Sequence, residues 1–184
     1  MAGCANFYVD NGLRNADQVQ YSKPAAPKPV QLFFSFQTKG SPNAQATQRL
    51  KDQVTELVVQ SGLFSEVKEV ASPDAGMLQI TLNNVPLTDN AAAKGFMTGL
   101  TLGLAGSTVG DGYVCDLQYK RTDSSTPITT KVNHAIYTSL GATAGPEAAT
   151  KMNGIEEAVR TMVRQSVKSL LKKLSDDPQF KEAL

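Results

Sequence analysis

The sequence predicts an α+β fold: an antiparallel sheet of about four to five strands, two amphipathic helices packed on one of its faces, and a Gly-rich insertion at about residues 87–112. Three observations carry this. Several stretches between residues 30 and 140 alternate apolar and polar residues, two segments repeat apolar residues at helical spacing, and the run between Lys94 and Asp111 has no charge, with glycines at Gly95, Gly99 and Gly103. With 184 residues, the chain has room for a single domain that buries roughly 70% of the surface its unfolded form exposes.

Residues 5 to 29 show little apolar periodicity and end in Lys23-Pro24-Ala25-Ala26-Pro27-Lys28-Pro29, a composition that favours extended, solvated polyproline II chain. Residues 1–29 are therefore expected to form a flexible tether, which as a coil spans roughly 28 Å on average, and residues 30–184 the folded domain. The first strand starts at Val30, whose face continues through Leu32, Phe34 and Phe36. Ser41-Pro42 supplies an N-cap and a first helical residue, and Leu50, Val54, Leu57 and Val58 mark a helix over 42–61 that Gly62 stops. Leu63 to Val70 reads as a cap running into a second strand, and the turn Ser72-Pro73-Asp74-Ala75-Gly76 leads to a hairpin partner with Leu78, Ile80 and Leu82 on one face.

After the insertion, Tyr113, Cys115, Leu117 and Tyr119 share a strand face, Asp123 to Pro127 turns the chain, and Ile128, Val132, His134, Ile136 and Leu140 share the next. The closing helix has an apolar stripe of Ile155, Val159, Met162, Val163, Val167, Leu170, Leu171 and Leu174, with Arg160, Arg164, Lys168 and Lys172 on another face. Glu156 and Glu157 in its first turn and Lys172 and Lys173 in its last match the helix dipole. Asp176-Asp177-Pro178 ends it, and Phe180 is placed to pin a short tail.

The insertion admits two readings. As a helix, Gly95, Gly99 and Gly103 form a stripe that lets another backbone approach closely, although each glycine costs about 1 kcal/mol relative to Ala in an exposed helix. The run from Gly95 to Gly110 would reach about 24 Å at ~1.5 Å per residue, short of the ~30 Å hydrocarbon core of a bilayer. As a strand, Leu100, Leu102 and Leu104 alternate with Thr101, Gly103 and Ala105. A buried or flexible insertion, a subunit or partner interface, and a membrane-inserting element all fit, and an uncovered apolar run of this length marks an interaction site.

Composition argues against catalysis. Lys+Arg number 18 against Asp+Glu 17, so there is no global field for nucleic acid. One His and two Cys exclude Cys/His zinc clusters and a disulfide framework. His134 and Cys115 sit on apolar strand faces, where a satisfied core histidine and a small buried hydrophobe are the ordinary readings, although a thiolate enzyme would need the two in contact. No Walker or dinucleotide glycine pattern is complete, and no metal or cofactor is expected.

Ala2-Gly3-Cys4 ahead of a polar tail resembles the end of a bacterial lipoprotein signal peptide, with Met1 where that family has Leu. The resemblance implies lipidation of Cys4 by three acyl chains, and Ala5 in place of Asp after the Cys implies the outer membrane. Multiple chains make anchoring durable where one does not. The phrase Ser61-Gly62-Leu63-Phe64-Ser65-Glu66-Val67 after a helix, together with the closing helix and the Cys-plus-tether start, resembles small periplasmic lipoproteins with a domain like the N-terminal domain of TolB, the YajG, LpoB and PelC group. That likeness implies a fold and carries over no active-site residue.

The expectation is a non-enzymatic, outer-membrane-anchored lipoprotein on the periplasmic face, an assembly or accessory factor of an envelope complex working through a protein partner or self-association. Gly95, Phe96, Gly99, Leu100, Leu102, Gly103 and Leu104 are its candidate interface or membrane contacts. The alternative is a module binding peptidoglycan or another anionic polymer through Arg160, Arg164, Lys168 and Lys172.

Overall fold

A computed structural model describes residues 5–87, 108–122, 126–141 and 144–181. Its order is β1 (Ala5–Asp10), a 3-10 helix (Asn11–Gln18), β2 (Val30–Thr38), β3 (Ser41–Pro42), α1 (Ala44–Ser61), β4 (Val67–Lys68), β5 (Gly76–Pro86), β6 (Thr108–Lys120), β7 (Ile128–Leu140), β8 (Ala149–Met152), α2 (Ile155–Asp176) and the short α3 (Pro178–Lys181). All the described strands join one sheet, ordered β3-β2-β5-β6-β7-β1-β8, with β4 also beside β2.

The α+β class holds, but among the described residues the sheet has eight strands and is mixed rather than antiparallel. Strand β5 pairs with β2 in parallel, Phe34 opposite Ile80, because α1 carries the chain back before β5 begins. The hairpin expected between residues 63–70 and 78–82 does not form. Strand β4 instead makes a two-residue parallel pairing with Val30 and Gln31, and together with β3 it covers the outer edge of β2. Strands β5, β6 and β7 form the expected antiparallel meander, with Ile80 opposite Leu117 and Cys115 opposite Val132.

Helix α1 starts two residues later than expected. Ser41 and Pro42 are taken by β3, and the cap is Asn43, whose side chain accepts from the Ala46 N–H at 3.0 Å. Gly62 ends the helix in the left-handed region, at φ 65°. Both long helices lie on one sheet face, joined by the Gln53 side chain donating to the Arg160 carbonyl at 2.8 Å. Between them and the sheet sits the core, in which Val54, Ile80, Leu117, Met162, Val167 and Leu170 are completely buried. Phe180 closes one end, its ring 5.3 Å from Tyr119 and 5.9 Å from Phe64.

The largest departure from expectation is the N-terminus. Residues 5–18 are not tether: β1 lies between β7 and β8, with Val9 opposite Ile136 and Thr150. Phe7 packs on the core and Val9 is buried in it, while Tyr8 packs against a second small cluster with Leu87, Ala135 and Tyr137. Gly145 lies so close to the Tyr8 ring that a Cβ there would collide. The Pro-rich stretch also runs along the body: the carbonyls of Lys28 and Pro29 accept from Ser65 and Gly76, and Ser22 bonds Ser175.

Candidate functional site

The N-terminal segment and α2 are locked by a polar chain that begins on β7. The Ala135 N–H donates to Nδ1 of His134 at 3.0 Å, which leaves the ring proton on Nε2 to donate to Gln165 Oε1 at 2.8 Å. Gln165 Nε2 then donates to Asp17 Oδ2 at 3.2 Å, and Arg164 holds both Asp17 oxygens, at 2.7 and 3.4 Å. Lys168 Nζ completes the clasp on the Asp17 carbonyl at 3.3 Å. The Arg164 hydrogen bond, with help from Gln165, holds the Asp17 carboxyl below its ordinary range against partial burial. Burial pushes His134 below the usual imidazole value, and the Gln165 bond opposes it.

A second lock sits at the end of β1. Asp10 is 1% exposed. Its Oδ1 accepts from the Gly12 N–H at 2.7 Å and caps the 3-10 helix, while Oδ2 accepts from the Tyr137 hydroxyl at 3.2 Å. A carboxylate this deep is tolerated because it is hydrogen-bonded.

Every cation of the expected polymer-binding row has a partner within the chain. Arg160 pairs with Glu156 at 3.2 Å, Arg164 and Lys168 hold Asp17, and Lys172 pairs with Asp176 at 2.8 Å. The row therefore fixes the N-terminal segment and tightens its own helix. Cys115 is sealed from solvent, burial pushing its thiol up to about 12. Its sulfur contacts the Tyr113 carbonyl at 3.8 Å, and both ring nitrogens of His134 are engaged elsewhere. The Cys–His contact that a thiol enzyme needs is absent among the described residues.

Two of the clefts that open on the helix side bear on the site. One of about 660 Å³ lies beside the 3-10 helix, bordered by Lys131, Lys172 and Lys173. Lys131 pairs with Asp116, and Lys173 donates to the Lys131 carbonyl at 2.7 Å, capping an edge position of β7 that β1 does not reach. The other, about 230 Å³, separates the first turns of α1 and α2 and is lined by Phe36, Ala46, Leu50, Ile155 and Val159. Among the described residues no group of three or more His, Cys, Asp or Glu is placed to hold a metal ion, and no helix is long and apolar enough to cross a membrane.

Cys4 and the candidate contacts Gly95, Phe96, Gly99, Leu100, Leu102, Gly103 and Leu104 lie outside the described residues. Their attachment points do not. The chain leaves β5 at Leu87, whose N–H donates to the Gly110 carbonyl at 2.8 Å, and re-enters as β6, where Thr108 faces Ser139 of β7. Ala5 faces Leu140, so both segments attach at the same end of the sheet. Sequence reasoning missed Asp10, Asp17 and Gln165. The signal available was Phe7 and Val9 alternating with Tyr8 just ahead of an Asp able to cap a helix.

No protein-family model matches the chain, and no curated protein matches it in sequence. Among solved structures it is similar to small bacterial lipoproteins. A minor lipoprotein from Acinetobacter baumannii is 15% identical, over 87% of this chain and 95% of that one, with a TM-score of 0.39. Rare lipoprotein B from Shewanella oneidensis is 15% identical, over 79% and 93%, with a TM-score of 0.40. A PelC dodecamer from Paraburkholderia phytofirmans is 10% identical, over 92% and 97%, with a TM-score of 0.36.

Proposed function

We propose that the protein is a non-enzymatic bacterial envelope lipoprotein, acylated at Cys4, held on the periplasmic face of the outer membrane, and acting as an assembly or accessory factor through protein contacts. The observation that carries this reading is the position of Ala5. Strand β1 begins at Ala5, an exposed residue on the rim of the sheet and the next residue in sequence after the Cys of the Ala-Gly-Cys motif. The engagement of Cys115 and His134 supports the non-enzymatic part, since neither has a free reactive atom facing solvent. The polymer-binding alternative has less support, because its four cations already have partners in the chain.

Metabolic labelling with a clickable palmitate analogue, in cells expressing the complete reading frame, tests the anchor. Label that disappears with Cys4→Ser is expected, and an unlabelled wild-type band would overturn it. Crosslinking in the same cells tests the assembly role: discrete adducts with an envelope protein or with a second copy are expected, and a protein that stays monomeric and uncrosslinked counts against it.

A further inference from the structure

We infer that the rim of the sheet formed by Ala5, Val109 and Leu140 lies flush against a lipid surface, with the body standing on it in one orientation. This rests on the reading of Cys4 as the acylated residue and adds to it the absence of slack. Cys4 is one peptide unit from Ala5, about 3.8 Å between Cα atoms, and Ala5 is already hydrogen-bonded into the sheet opposite Leu140. No coil intervenes to let the body swing away. Chains attached at Cys4 and inserted in hydrocarbon therefore hold this rim at the headgroup layer.

The rim suits that position. Val109 is 50% exposed and Leu140 54% exposed, on adjacent strands. Val109 faces Thr138, two residues from Leu140, so both side chains lie on one face of the sheet within reach of one surface. Isolated exposed apolar residues are ordinary, and Val70 and Met77 are examples at the opposite end, near the start of β2. What separates Val109 and Leu140 is that the chain outside the described residues attaches beside them twice. Residues 1–4 join at Ala5, and the link from β5 to β6, uncharged from Gly95 to Gly110, returns at Thr108. The first is the anchor, and the second, past Asp89 and Lys94, enters β6 through a run with no charge that would need water, so a bilayer is the occupant that accounts for both. Contact strength follows buried apolar area and is small without the acyl chains, so the rim orients the molecule and does not retain it.

The test uses full-length acylated protein, reconstituted in phosphatidylethanolamine and phosphatidylglycerol vesicles containing a headgroup nitroxide lipid. Bimane is placed at Val109→Cys, Leu140→Cys and, as the distant control, Val70→Cys, while buried Cys115 stays unlabelled. Bimane at 109 and 140 is expected to be quenched severalfold and at 70 to keep its intensity. Inserting about twenty Gly/Ser residues between Cys4 and Ala5, a coil of roughly 25 Å, is expected to abolish the quenching while the protein still floats with vesicles. Floating protein with equal intensity at all three sites, or quenching indifferent to the insert, overturns the inference. Wild-type protein that does not float overturns the anchor itself, a separate failure from misjudged orientation.

Discussion

Helices α1 and α2 lie side by side on the same sheet face, yet they are enclosed differently. Helix α1 meets the core through Leu50, Val54, Leu57 and Val58 and leaves Val59 57% exposed on its outer side. Helix α2 buries eleven residues, among them Thr161, Gln165, Ser166 and Ser175, which are polar. The sheet and α1 account for its apolar stripe, and the N-terminal 3-10 helix covers the flank that carries Gln165 and Arg164. An amphipathic pattern thus reports one buried face, while a second can be built from polar residues that hydrogen-bond a neighbouring segment.

Removing that neighbour should expose the difference most. Deleting residues 5–18 takes away β1, the Asp10–Tyr137 bond and the Asp17 clasp, and buried Val9 and Ala16 with them. A loss on the order of 5 kcal/mol is expected, a large part of a typical domain's stability, measured as a lower urea midpoint; a tether would be dispensable. Next come paired truncations. Leu170→Ala on α2 should cost about 2–5 kcal/mol, while Val59→Ala on α1 should cost less than about 0.5 kcal/mol, both by chemical denaturation.

A smaller effect sharpens the polar side. The Asp17 side chain is 36% exposed and that of Arg164 39%, so solvent screening limits their pairing to at most about 1 kcal/mol. Its folded pKa is depressed from 3.8, so this contribution is present above that value and is lost as pH falls through the lower folded one. The gap in melting temperature between wild type and Asp17→Asn should therefore be constant near neutrality and close below about pH 4. The smallest expected effect is none: Cys115, raised to about 12 and sealed, should resist iodoacetamide at pH 8 in the native protein and react after unfolding.

Much of the fold was legible because its signals are periodic. Strands β2, β5, β6 and β7 and both long helices carry their burial in alternation or in a helical stripe, and Gly62 and Asp177 mark helix ends as their chemistry predicts. The parallel pairing of β2 and β5 was not legible, since alternation gives the face of a strand and not its neighbour. The N-terminus was misread because β1 has six residues, too few for its period to stand out, and prolines follow it. Those prolines favour extended chain, but extended chain also runs along a surface, as Lys28 and Pro29 do against Ser65 and Gly76. Of the candidate site, the sequence located the basic row but not its partner Asp17, which lies 147 residues from Arg164 along the chain.

The central claim is that the first residues after Cys4 are part of the sheet. Native-state amide hydrogen exchange of the full chain, read at Phe7 and Val9 against Val70, tests it directly. Slow exchange at Phe7 and Val9, comparable with the interior of β7, is the expected result. Exchange there as fast as at Val70 would return the N-terminus to a loose tether and contradict the account.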